Sequence, residues 1–136
     1  MKRLLSGLCV ILLVLVMISP AAYAATTSDT VAMVAAANDA IDARIAKAQD
    51  DANKLLALNA VLTEQAKSVQ QRKAIDQMTD AGLDVIIASL LRDTNRISAQ
   101  TITAAAEAGV TVKCFLVEVI VGGRSVMVDP LVVCNE

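Results

Sequence analysis

Two small sets of residues in this chain could do chemistry. The first is the pair Cys114 and Cys134, which bracket the run KCFLVEVIVGGRSVMVDPLVVC. Bonded to each other, they would close a loop of about twenty residues and contribute roughly 3 kcal/mol by restricting the unfolded chain. They lack the CxxC spacing of redox catalysts, so such a bond would be structural. The second set is made of carboxylates: Glu118 with Asp129 in the same run, and Asp76, Asp80 and Asp84 at i, i+4 spacing. Paired carboxylates can poise one raised pKa or hold a cation loosely, but a calcium site usually takes six or more oxygen ligands. The plainer expectation is that Glu118 and Asp129 sit on the wet face of an edge hairpin, and that Thr79 or Asp80 caps a helix. No catalytic, cofactor-binding or metal-ligating residue is therefore assigned, and no cofactor is expected.

The absences point the same way. Histidine does not occur in the chain, which removes the usual general base and the commonest metal ligand. The only aromatic residues are Tyr23 and Phe115, so the stacking platforms of single-stranded nucleic-acid grooves cannot be built. There is no phosphate loop, nucleophile elbow, zinc ligand set or dinucleotide fingerprint.

The first 24 residues, MKRLLSGLCVILLVLVMISPAAYA, have a basic start, an apolar run over residues 4–18, and small residues before a junction at Ala24 and Ala25. This is the layout of a secretory signal peptide, and the run is short of the ~20 residues that span a bilayer. Secretion or residence in the cell envelope is expected, with no stable membrane insertion after cleavage. The remaining chain holds ten Lys/Arg against fourteen Asp/Glu, a net charge of −4. That balance gives no electrostatic reason to seek nucleic acid or an anionic membrane.

Residues 25–28 read as a flexible start, 29–109 as a helical region and 110–136 as a β-hairpin of the same domain. From Asp29 onward, Val31, Val34, Asn38, Ile41, Ile45, Ala48, Ala52, Leu55, Asn59, Leu62, Ala66 and Val69 recur at alternating steps of three and four. The stripe predicts a long amphipathic helix, which either lies on its own domain or forms a coiled coil. It is thin, since alanine and asparagine occupy much of it. Breaks are expected near residues 58–60 and at residues 78–83, where Gly82 weakens a helix. A central apolar helix follows over residues 83–108, with Gly109 suited to terminate it.

β-Branched runs flank Gly122-Gly123, a strong hairpin signal. The fold class is α+β: two or three helices, then a C-terminal β-hairpin lying on a helix. With the glycine pair as loop, opposed residues sum to 245. Phe115, Val117, Val119, Val126 and Val128 then form an apolar core face. Leu116, Glu118, Ile120, Ser125, Met127 and Asp129 form the other, and Leu116, Glu118, Ile120 and Met127 make the candidate partner face. In this register Cys114 opposes Leu131, not Cys134. Export and an even cysteine count favour a disulfide, but a regular ladder holds the thiols ~10 Å apart on opposite faces. The bond would require the second strand to break at Asp129-Pro130.

These features describe an exported, non-catalytic small protein that works by binding or by structure, with a protein partner or its own copies. The alternatives are a membrane-anchored coiled-coil assembly protein retaining its N-terminal segment, and a small secreted enzyme inhibitor presenting the hairpin loop.

Overall fold

The computed structural model describes residues 27–134. The expected leader and the Ala24–Ala25 junction lie outside the described residues. The architecture is α+β, with two long helices followed by four short strands. Helix α1 spans Thr27–Gln65 and α2 spans Val69–Glu107, each of 39 residues. At 1.5 Å per residue each is about 58 Å long. Only residues 66–68 connect them, so they run antiparallel, side by side.

The interruption between the helices falls at neither expected break. Ser68 supplies it: its backbone is extended, and its Oγ accepts a hydrogen bond from the Gln71 N–H at 3.1 Å. Gln71 in turn accepts from the Lys67 N–H at 2.7 Å. Together they satisfy donors that a helix start leaves orphaned. Across residues 78–83, by contrast, α2 is unbroken. Thr79 is buried, donating to the Ile75 carbonyl at 3.0 Å and accepting from Asn59 of α1 at 2.8 Å. Gly82 packs closely on the first helix, where a Cβ would lie 2.7 Å from Leu55 Cδ2. At the far end Gly109 adopts φ +75°, and its N–H and that of Val110 bond back to Ala106 and Ala105. This is the Schellman arrangement expected of a glycine at that place.

The strands are β1 (Val112–Cys114), β2 (Val117–Val121), β3 (Arg124–Val128) and β4 (Leu131–Val133). Gly122 and Gly123 turn between β2 and β3, both at positive φ, as a two-residue hairpin loop of type I′ requires. β2 pairs with β3, and β1 with β4, all antiparallel. One register runs through both pairs: Val121 opposes Arg124, Val117 opposes Val128, and Cys114 opposes Leu131. The four strands are thus two arms of one long hairpin, interrupted at residues 115–116 and 129–130. The Phe115 N–H still donates to the Pro130 carbonyl at 3.0 Å, but Pro130 has no N–H to return.

That interruption lets the hairpin roll over. Beyond it, Val121, Val126 and Val128 are buried while Glu118, Ile120, Ser125 and Met127 are exposed. Before it, Val112 and Leu131 are buried while Lys113 and Val132 are exposed. The inward positions therefore change parity on both strands at once. The strands also exchange helices: β1 lies on α2 and β4 on α1, whereas β2 lies on α1 and β3 on α2. A half-turn of the ribbon about its own axis produces both changes together. Two-stranded ribbons twist strongly, and a missing ladder bond removes the resistance.

The core divides accordingly. Ala48, Ala52, Leu83 and Leu90 pack against Val121, Val126 and Val128 under the loop half. Val34, Ala37 and Ala105 pack against Val112 and Leu131 under the open half. Phe115, expected on the core face, falls in the rolled segment and is about half exposed.

Candidate functional site

The helices hold the hairpin by its backbone as well as by its apolar face. Asn38 of α1 donates from Nδ2 to the Leu131 carbonyl and accepts the Leu131 N–H at Oδ1, both at 2.9 Å. Its amide stands in for a strand neighbour. Gln49 donates to the Ile120 carbonyl at 2.9 Å, and Ser98 of α2 donates to the Asp129 carbonyl at 2.8 Å. At the loop, Arg124 bonds Asp84 at 2.5 Å and Asp80 at 2.8 Å through its two terminal nitrogens. These carboxylates raise the Arg124 pKa, Asp84 foremost. The spaced aspartates thus receive a cation from this chain, a tertiary contact that spacing alone does not reveal. Asp76 accepts from Asn59 at 3.2 Å.

With its inner face committed, the hairpin presents the opposite face to solvent. Leu116, Glu118, Ile120 and Met127 are all exposed there, as are Phe115 and Val132. The Glu118 carboxylate accepts the Ser125 hydroxyl across the ladder. The result is an apolar patch with one engaged charge, Glu118, and with Lys113 opposite Val132 at its open end. Among the described residues neither hairpin half has a third strand, and Asn38, Gln49 and Ser98 bond edge groups at Leu131, Ile120 and Asp129 instead.

Glu118 and Asp129 do not act as a pair. Glu118 is engaged by Ser125, while Asp129 lies in the interruption, half-buried and close enough to Cys114 to influence it. Among the described residues no group of three or more His, Cys, Asp or Glu is placed to hold a metal ion.

The expected disulfide is absent: Cys114 and Cys134 are both free thiols. The second strand does break at Asp129-Pro130, but it rolls without changing register. The Cys134 N–H still bonds the Thr111 carbonyl, at 2.9 Å, so the cysteines stay three ladder positions apart. Partial burial, assisted by the Asp129 charge, pushes the Cys114 pKa up against a lowering contact from Ser98. The shift leaves less thiolate on Cys114 at neutral pH than on a free cysteine.

The middle of the heptad stripe is consumed inside the chain, while Val31, Leu62 and Val69 at its ends are exposed. Val34, Ile41, Ala48 and Ala52 are buried, Asn38 holds β4, and Asn59 bridges to α2. An intermolecular coiled coil along it would require the fold to open. One side of the hairpin loop is seated on the helices, since a Cβ on Gly122 would meet Leu83 at 2.5 Å and Ala52 at 3.3 Å, whereas Gly123 is exposed. Among the described residues no helix is long and apolar enough to cross a membrane.

Fold and surface define a two-layer α+β protein whose hairpin is clipped to a helical pair and bares an apolar outer face. No protein-family model, curated protein or solved structure matches the chain.

Proposed function

We propose that this is an exported, non-catalytic protein that binds a partner protein through the outer face of its hairpin. The observation that carries the reading is the outward cluster of Leu116, Ile120 and Met127, with Phe115 and Val132 beside it. Single exposed apolar residues are ordinary, but a contiguous patch rimmed by polar groups is characteristic of interaction surfaces. The face is also rigid. Each strand beneath it is fixed by packing, and Asn38, Gln49 and Ser98 secure the backbone, so binding costs little ordering entropy.

A photo-crosslinking side chain placed at Ile120 or Met127 in the native envelope tests this. The same group at exposed Ala57 of α1 serves as control. A discrete adduct at the hairpin positions, abolished by Leu116→Asp, is the expected result. Crosslinking no stronger than at Ala57 would remove the reading.

A further inference from the structure

We infer that the turn end of the helical hairpin is a docking arm for an anionic phospholipid surface. The β-hairpin stops where Gly122 meets Ala52 and Leu83. Beyond that level both helices continue for about thirteen residues, or ~20 Å, with no strand over them.

The exposed apolar side chains of this arm are distributed around it. Leu56, Leu58, Val61, Leu62, Val69 and Met78 are exposed, Val69 at 79 % and Met78 at 74 %. Leu56 and Leu58 are two residues apart, roughly 200° around the helix, and Val69 and Met78 are about 180° apart. Leu56 and Val69 share the hairpin side with Gln49 and Asp80. Leu58 and Met78 lie on the opposite side, around a groove also lined by Leu55, Leu62 and Ile75. A protein groove that receives a helix reads one stripe at i, i+3, i+4, i+7 spacing. Apolar residues on opposite sides of a projecting arm suit a medium that surrounds its end, as the interfacial region of a bilayer does.

The charges select the kind of surface. Residues 56–78, which carry those apolar side chains, contain Lys67, Arg72 and Lys73 against Glu64 and Asp76, a net charge of +1. No ion pair engages those three cations among the described residues. The rest of the described chain carries eleven carboxylates and seven cations, a net charge of −4. Composition therefore conceals a separation of sign along the molecule. The Debye length at physiological salt is about 8 Å, so a ~20 Å arm holds most of the acidic body beyond the range at which an anionic surface repels it. Asp76 accepts a hydrogen bond from Asn59, and the next carboxylates, Asp80 and Asp84, are occupied by Arg124. The contact is peripheral, made by side chains at the headgroup level, and neither helix crosses the bilayer.

The purified protein is sedimented with vesicles of phosphatidylcholine containing about 30 % phosphatidylglycerol, and with pure phosphatidylcholine. Each net positive charge near an anionic surface is worth about a fivefold gain, so the anionic vesicles should be preferred by about that factor. The combined Lys67→Gln, Arg72→Gln, Lys73→Gln variant should lose that preference. The chain contains no tryptophan, so Val69→Trp gives an isolated reporter, and its emission should shift to the blue only with anionic vesicles. All four positions are exposed, and circular dichroism of each variant should match the parent. No sedimentation, equal binding to both vesicle types, full binding by the neutralised variant, or an unshifted reporter overturns the inference. A blue shift caused by protein concentration alone would assign the arm to a second copy. Equal affinity for soluble poly-glutamate would assign it to an acidic polypeptide, and either outcome also overturns it.

Discussion

Gly122→Ala and Gly123→Ala form a matched pair that isolates the docking of the hairpin loop on the helices. Both glycines hold positive φ, +58° and +80°. Left-handed backbone costs an L-residue about 1–2 kcal/mol, so each variant loses that much. Around Gly123 nothing lies within 4 Å, and the backbone term is the whole effect. At Gly122 the new methyl would lie 2.5 Å from Leu83 Cδ2 and 3.3 Å from Ala52 Cβ. Leu83 is buried and must leave its rotamer, at about 0.5–1.5 kcal/mol. Ala52 can retreat only with its helix. The expected losses are about 2–3 kcal/mol for Gly122→Ala and about 1–2 kcal/mol for Gly123→Ala. Urea unfolding followed by far-UV circular dichroism measures both, and with m near 2 kcal/mol/M the midpoints should differ by roughly 0.5 M. Adding Leu83→Ala to each variant closes the cycle: it should couple to Gly122→Ala by about 1 kcal/mol and to Gly123→Ala hardly at all. Equal midpoints, or no coupling with Leu83, would refute the claim that the loop is seated against the helices.

Asn38→Leu removes both bonds to Leu131 and should cost about 2 kcal/mol or more, because the strand's N–H and carbonyl are left part-buried without partners. Hydrogen exchange should quicken at Leu131 first, and unchanged protection there would contradict the clip. Intact mass with and without reductant should be the same, and a thiol titration of the native protein should find Cys114 and Cys134 both reactive. The raised Cys114 pKa has a sign that can be checked. Its contribution to stability is complete below the pKa of the unfolded thiol and is lost as pH rises through the higher folded value, a window above about pH 9. In Cys134→Ser protein, alkylation of Cys114 should rise with pH along a curve displaced upward from that of the urea-unfolded control; coincident curves would exclude the shift. Arg124→Gln should lower the thermal midpoint slightly at low ionic strength, and high salt should erase the difference, since this pair is largely solvent-screened.

The features legible in the sequence are local in origin. Gly122-Gly123 dictates the turn, the turn dictates the register, and the register places Cys114 opposite Leu131 and puts Leu116, Glu118, Ile120 and Met127 on one face. The α+β order follows from the change of period after Gly109, whose freedom at positive φ also ends the helix. Propensity misplaces the helix break, because it weighs Gly82 as a weak helix former, whereas the residue lies inside an unbroken helix packed against Leu55. The Ser68-x-x-Gln71 cap is the signal that locates the true break, and it lies within an ordinary polar stretch.

The remaining features depend on residues distant in sequence meeting in space. Asn38 and Asn59 are flaws in a seam until the fold brings them their partners, Leu131, 93 positions from the first, and Thr79. Asp80 and Asp84 repel each other until Arg124 reaches both of them, across 44 and 40 positions. A proline marks where a ladder loses a bond, but only packing on two helices decides that the ribbon rolls there, exchanges its strands and keeps its thiols apart. Net charge, too, is a sum over the chain, and only folding separates an acidic body from a basic arm. Sequence by itself determined the elements, the turn and the register, because those follow from dihedral preference and period. Tertiary structure decided which polar groups are satisfied, which faces stay bare and where charge accumulates, because those depend on distances that spacing along the chain does not contain.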